Sequence, residues 1–125
     1  MSHKIIYSLI ESPAHPNFSE LYKKLSFNEL RFNSTRKAMS ELKKSPPDIV
    51  VAEFFYGYGN NYAGINISNL DVFLHALRRY AADAKVIVLV EKPERQHVEK
   101  LMALFSLHAV LVYPITEKQM EASLS

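Results

Sequence analysis

Cysteine and tryptophan are absent from this sequence of 125 residues, and only three glycines occur in it. The lack of cysteine excludes disulfide bonds, thiol catalysis and cysteine-ligated metal sites. No apolar run approaches the roughly 18 residues of a membrane-spanning helix. The N-terminus also lacks the basic and hydrophobic segments of a secretory signal, so we expect a cytoplasmic protein without a membrane segment.

An excess of charge of one sign is also lacking. The chain has 15 Lys and Arg against 13 Asp and Glu, a formal net charge of +2. This balance argues against nucleic acid as a partner, because nucleic-acid binding needs a strongly basic surface. The histidines show no metal-ligand spacing, and His75 and His97 are predicted to lie at the surface of helices. No metal site or other cofactor is expected.

Short apolar runs alternate along the chain with amphipathic stretches. The runs predict strands at 4–10, 30–32, 49–55, 86–90 and 109–112. The last three are apolar at consecutive positions, which indicates strands covered on both faces. The amphipathic stretches predict helices at 17–25, 34–44, 68–80, 93–105 and 116–124. The alternation predicts one α/β domain over 1–125, with a parallel sheet between helices.

Polar residues in cap positions indicate where several helices begin. Ser34 is a candidate N-cap of the second helix, and Asn17 with Glu20 has the spacing of a capping box before the first. Ser68 and Asp71 show the same spacing before the third helix. The final helix is short, which suggests that 1–125 is one domain of a longer signalling protein.

The segment 56–67, YGYGNNYAGINI, contains all three glycines and has no regular pattern. Ligands of open α/β sheets bind beyond the carboxyl ends of the strands, where this segment begins. One interpretation is an aromatic contact loop of the kind enriched at protein interfaces. In the other, the tyrosines fold back over the neighbouring end of the sheet. The candidate loop residues are Tyr56, Tyr58, Asn60, Asn61 and Tyr62.

Three segments follow one another with the order and spacing of a known family. Residues 47–53 (PDIVVAE), 70–91 (LDVFLHALRRYAADAKVIVLVE) and 109–114 (AVLVYP) resemble the response-regulator receiver family. The resemblance covers essentially the whole chain. It implies a single (βα)5, flavodoxin-like, three-layer sandwich with five parallel strands in the order 2-1-3-4-5. It also implies a cis peptide bond before Pro114.

The same resemblance places Glu53 where receivers carry the aspartate that accepts a phosphoryl group. The longer Glu side chain displaces the carboxylate by about 1 Å, which can slow a reaction roughly 100-fold. The acidic pair that binds Mg²⁺ in receivers falls on Leu9 and Ile10, with Glu11 next in the chain. A single carboxylate is a poor Mg²⁺ site, so this metal is not expected.

The other receiver site positions are also altered. The hydroxyl residue at the end of the fourth strand falls on Val90, and the lysine of the fifth strand falls on Tyr113, ahead of Pro114. Together with Glu53 and Glu11, these residues make up a degenerate phosphoacceptor pocket. The resemblance therefore implies a pseudo-receiver, a receiver-like domain without the aspartyl-phosphate cycle.

Two interpretations stay open for each of the central side chains. Glu53 either mimics a phosphorylated aspartate or is a strand-end carboxylate that caps nearby amides or meets solvent. Tyr113 either donates a hydrogen bond to Glu53 or only packs its ring there.

The favoured function is a non-enzymatic signalling domain that acts by protein contact. The resemblance implies that its partner, an attached output domain or a second copy in a homodimer, binds the face of the fourth helix, fifth strand and fifth helix. One alternative is a small-molecule sensor that uses the altered pocket. Another is a phosphorylatable receiver in a two-component phosphorelay. A nucleic-acid regulator would need clustered basic residues.

Overall fold

The computed structural model describes residues 4–10, 17–56 and 70–124. The strands are β1 (Lys4–Leu9), β2 (Phe27–Phe32), β3 (Ile49–Glu53), β4 (Lys85–Val90) and β5 (Ala109–Val112). The helices are α1 (Ser19–Lys24), α2 (Thr35–Glu41), α3 (Asp71–Tyr80), α4 (Arg95–Met102) and α5 (Glu117–Ser123). A short 3₁₀ turn, Lys92–Glu94, leads into α4.

The five strands form one parallel sheet in the order β2-β1-β3-β4-β5. This confirms the predicted α/β flavodoxin-like sandwich and its strand order. Because all strands run the same way, their carboxyl ends meet at one edge of the sheet. The order reverses between β1 and β3, so the ends of these strands lie at the switch point where such folds bind ligands.

Helices cover both faces of the sheet, each over its own hydrophobic core. On one face α2, α3 and α4 pack on a core that includes Tyr7, Phe73 and Leu101. On the other face α1 and α5 pack on a core that includes Leu21 and Met120. Successive strand residues point to opposite faces, which explains why apolar residues run consecutively in β3 and β4.

The strand boundaries differ most from the predicted ones at β2 and β3, whereas β1 ends one residue early, at Leu9, and β4 begins one residue early, at Lys85. Strand β2 begins at Phe27, three residues earlier than predicted, because Ser26 adopts a left-handed conformation with φ 67° that ends the preceding helical turn. Strand β3 ends at Glu53, so its predicted extension to Phe55 is wrong. The residues of β5 are all partly exposed, contrary to the expectation of full cover, because β5 is an edge strand.

The helix starts follow the predicted caps in part. The Ser34 hydroxyl accepts a hydrogen bond from the Lys37 amide at 3.2 Å, which confirms the cap of α2. Helix α1 begins after Phe18 without a side-chain cap, so the predicted capping box is wrong. Asn17 Oδ1 still accepts from the Ser19 amide at 2.8 Å. Ser68 lies outside the described residues. Within the described part of the chain, no helix is long and apolar enough to span a membrane.

Candidate functional site at the carboxyl edge of the sheet

Glu53 and Tyr113 meet across the edge of the sheet. Glu53 is the last residue of β3 and is 3% exposed, and Tyr113 directly follows β5. The Tyr113 hydroxyl donates a hydrogen bond to Glu53 Oε2 at 3.1 Å. Of the two interpretations of Tyr113, the structure therefore shows the hydrogen bond. Glu53 is buried, so it does not meet solvent, and the capping of nearby amides by its carboxylate stays a prediction.

Strand alternation explains why these two side chains can meet. Glu53 follows Ile49 and Val51 on the α1–α5 face, and Tyr113 follows Ala109 and Leu111 on the same face. Their strands lie on either side of β4, roughly 10 Å apart at the usual strand spacing. Only two long side chains can bridge that distance, and Glu and Tyr are both long enough.

The surroundings keep the Tyr113 hydroxyl protonated. Burial raises the pKa of Tyr113 well above its ordinary value, and the charge of Glu53, the hydrogen bond to it and the charge of Glu91 raise that pKa further. Tyr113 is therefore a neutral donor, in contrast to the cationic lysine of the receivers that the chain resembles. The carboxyl edge of the sheet therefore presents the Glu53 carboxylate with the Tyr113 phenol hydrogen-bonded to it.

Not all of the other predicted pocket residues lie beside Glu53 and Tyr113. Val90 is 1% exposed and packs into the α2–α3–α4 core, on the opposite face of the sheet. The Tyr113–Pro114 peptide bond is cis, as the resemblance implied, and Pro114 is exposed. Leu9 is buried at the end of β1, next to Ile10. Among the described residues, no group of three or more His, Asp or Glu side chains could hold a metal ion.

Several predicted residues lie outside the described residues. These are Glu11 of the candidate pocket and Tyr58, Asn60, Asn61 and Tyr62 of the candidate loop.

Tyr56, the loop residue that the structure describes, binds α4. Its ring stacks on His97, with 3.6 Å between ring centroids and 11° between planes. Its hydroxyl accepts from Lys100 Nζ at 3.2 Å, and its amide donates to Glu94 Oε1 at 3.1 Å. His97 is partly buried beneath this stack, so its predicted surface position is confirmed only in part. Tyr56 is itself still 42% exposed.

Sequence reasoning missed two groups of polar residues near this edge. Glu91 follows β4 and acts on the Tyr113 pKa. Its place directly after an apolar strand was a usable signal, since parallel strands end together. Ser8 and Glu29 are hydrogen-bonded between β1 and β2, with 2.6 Å between Oγ and Oε2. A serine and a glutamate 21 positions apart carry no local signal of this bond.

No protein-family model matches the sequence, and no curated protein matches it. The structure, however, is similar to solved receiver domains. A response regulator receiver domain protein from Clostridium thermocellum has a TM-score of 0.72 and 16% identity, over 98% of this chain and 91% of that one. The fold of this chain is therefore that of response-regulator receiver domains.

Two further similar structures belong to differently described proteins. One is the N-terminal domain of a response regulator/sensory box/GGDEF 3-domain protein from Carboxydothermus hydrogenoformans. It has a TM-score of 0.68 and 14% identity, and the match covers 97% of this chain and 90% of that one. The other is described as an adenylate cyclase from Rhodopirellula baltica. It has a TM-score of 0.70 and 13% identity, and the match covers 98% of this chain and 85% of that one. At these identities the similarity establishes the fold alone.

Proposed function

We propose that this chain is a pseudo-receiver, a non-enzymatic signalling domain that acts by protein contact and does not undergo aspartyl phosphorylation. The observation that carries the proposal is the hydrogen bond from Tyr113 to Glu53. In the receivers that the chain resembles, the equivalent positions hold a free aspartate and a lysine. Here the carboxylate is buried and bonded to a neutral phenol, and β1 ends in apolar residues.

Phosphoryl transfer depends on charge stabilisation around the transferred group. A lysine and a bound Mg²⁺ supply positive charge, whereas a protonated tyrosine supplies one neutral donor. The Tyr113 hydroxyl also donates its hydrogen bond to Glu53 Oε2, one of the two oxygens that could accept a phosphoryl group. These features support a domain that keeps one state without a phosphorylation cycle.

The phosphorylation claim can be tested by NMR of the ¹⁵N-labelled protein with Mg²⁺ and beryllofluoride. We expect no saturable amide shifts at 51–54 or 111–114, while a receiver with the full set of site residues responds under the same conditions. A Glu53→Gln variant is the matched control for nonspecific metal effects. Saturable shifts that Glu53→Gln abolishes would overturn the proposal in favour of a phosphorylatable receiver.

We assign the protein contact to the face formed by α4, β5 and α5. The strand β5 is a partly exposed edge strand, and apolar side chains are exposed at the end of α4, with Met102 43% and Leu104 52% exposed. Exposed apolar side chains next to an open strand edge are typical of interaction surfaces. This contact would join the domain to an output domain or to a second copy.

Sedimentation of the protein over a range of concentrations tests for the second copy. We expect concentration-dependent dimers that Met102→Glu weakens by at least about tenfold, since a buried unpaired charge costs more than about 1.4 kcal/mol. Val72→Glu is the control, because Val72 is 53% exposed on α3, away from this face. A protein that stays monomeric, or variants with equal effects, would contradict the homodimer.

A further inference from the structure

A cleft at the carboxyl edge of the sheet lies away from Glu53. It has a volume of about 370 Å³ and lies where β1 and β2 end, lined by Ile10, Arg31, Phe32, Asn33 and Lys37. The Ile10 amide donates to the Phe32 carbonyl at 2.9 Å, so the ends of the two strands form a fixed wall. This volume falls within the usual range for small-molecule sites.

The Arg31 side chain is held at the cleft by a chain of hydrogen bonds that reaches into the protein. Arg31 Nη1 donates to the Ser19 hydroxyl at 3.0 Å, and Ser19 donates to Glu29 Oε1 at 2.6 Å. Ser8, which is 1% exposed, donates to the other Glu29 oxygen at 2.6 Å. A guanidinium held in this way loses little conformational freedom when it binds a ligand.

The buried end of this chain includes Tyr22. Burial raises the pKa of Tyr22 well above its ordinary value, the charge of Glu29 raises it further, and Ser8 and Arg31 partly offset the rise. The Tyr22 hydroxyl lies near Ser8 but reaches no hydrogen-bond partner of good geometry among the described residues. Glu29 accepts hydrogen bonds from Ser8 and Ser19, and its Oε2 lies 3.9 Å from Arg31 Nη1.

The electrostatics of the cleft favour an anion. None of the lining residues that the structure describes is acidic, and two of them carry a positive charge. Glu29 lies 3.9 Å from Arg31 and offsets part of its charge. Lys37 makes no ion pair within the described part of the chain. Arg31 is 48% exposed, and its remaining N–H groups are available for planar, two-point contact with an oxyanion.

The apolar residues of the cleft limit the kind of anion. Ile10 and Phe32 are partly exposed there, and the Phe32 ring is supported by Tyr7, with 4.9 Å between ring centroids. We propose that this cleft binds a small organic anion, with its phosphate or carboxylate group on Arg31 and Lys37 and its apolar body on Ile10 and Phe32. The site is distinct from the Glu53–Tyr113 pair and independent of the proposed docking face.

Titration of the ¹⁵N-labelled protein with phenyl phosphate, benzoate and inorganic phosphate, at constant ionic strength, tests the site. We expect saturable shifts at the amides of Phe32, Asn33 and Lys37, with phenyl phosphate binding more tightly than inorganic phosphate. Benzoate tests whether a carboxylate binds to Arg31 and Lys37 as a phosphate group does. Benzyl alcohol, which has the ring without the charge, is expected to give no saturable shifts.

Lys37→Ala and Arg36→Ala form a matched pair for this experiment. Each removes one positive charge from an exposed position of α2, but only Lys37 lines the cleft. Lys37→Ala is expected to weaken binding about tenfold, the value of one charged hydrogen bond, and Arg36→Ala less than about twofold. Arg31→Gln is expected to weaken binding by at least as much as Lys37→Ala.

Three outcomes would overturn the proposal. The first is the absence of saturation with all three anions. The second is an equal loss of affinity in Lys37→Ala and Arg36→Ala, which would show attraction by overall charge alone. The third is saturable shifts confined to residues outside the cleft, such as those that flank Glu53.

Discussion

Replacement of Tyr113 by phenylalanine removes the hydroxyl that binds Glu53 and keeps the ring. The bond is 3.1 Å long, and its acceptor is a carboxylate that is 3% exposed. A hydrogen bond to a charged group contributes about 1.5 to 3 kcal/mol, and water near the half-buried Tyr113 can replace part of it. We therefore expect Tyr113→Phe to lower the free energy of unfolding by about 1 to 2 kcal/mol at pH 7.

The same bond predicts how this difference changes with pH. The pKa of Tyr113 in the folded protein is raised, first by burial and then by Glu53, whereas an unfolded tyrosine ionises near pH 10. The stabilisation is thus complete below pH 10 and is lost as the pH rises toward the folded pKa. The loss is at most about 1.4 kcal/mol per pH unit, and less where solvent screens the Glu53 charge.

Urea unfolding at pH 7, 9, 10 and 11 measures both effects. The gap between the wild type and Tyr113→Phe should be constant up to about pH 9 and close by about pH 11. Tyr7, whose pKa burial raises to about 12, and Tyr22 also destabilise the folded state at alkaline pH. Both are present in both proteins, so only the difference between the two proteins reports on Tyr113.

Tyr80→Phe is the matched control, since Tyr80 is 45% exposed on α3, far from Glu53 along the chain. Its free energy of unfolding should stay within about 0.5 kcal/mol of the wild type at pH 7. A Tyr113→Phe protein as stable as the wild type at pH 7 would refute the hydrogen bond as a source of stability. A gap that widens above pH 10 would refute the protonated donor.

Three further predictions follow from other contacts. Ser34→Ala should lower the free energy of unfolding by about 1 kcal/mol, because it removes the cap of α2, as urea unfolding will measure. Leu101→Ala should lower the free energy of unfolding by about 2 to 5 kcal/mol in the same assay, since Leu101 is 0% exposed. Met102→Ala, at an exposed position, should lower it by less than about 0.5 kcal/mol. Tyr56→Ala should speed amide exchange in α4, measured by mass spectrometry, whereas Tyr56→Phe should largely retain protection by keeping the stack on His97.

The sequence by itself determined the order of strands and helices. Apolar runs of strand length alternate with stretches whose apolar residues recur at helical spacing. This periodicity is local, so it does not depend on the tertiary arrangement. Ser34 was predictable as a cap because a cap acts within one helical turn. The strand order needed the resemblance as well, since periodicity alone does not say which strands are neighbours.

The tertiary structure decided which polar side chains meet. Glu53 and Tyr113 are 60 positions apart, and Tyr56 and Lys100 are 44 apart, so only the folding of the sheet brings them together. It also decided that β5 is an edge strand with partly exposed residues, although its sequence is as apolar as that of β4. Exposure and side-chain pairing depend on what packs across a strand, and residues distant in the sequence supply those neighbours.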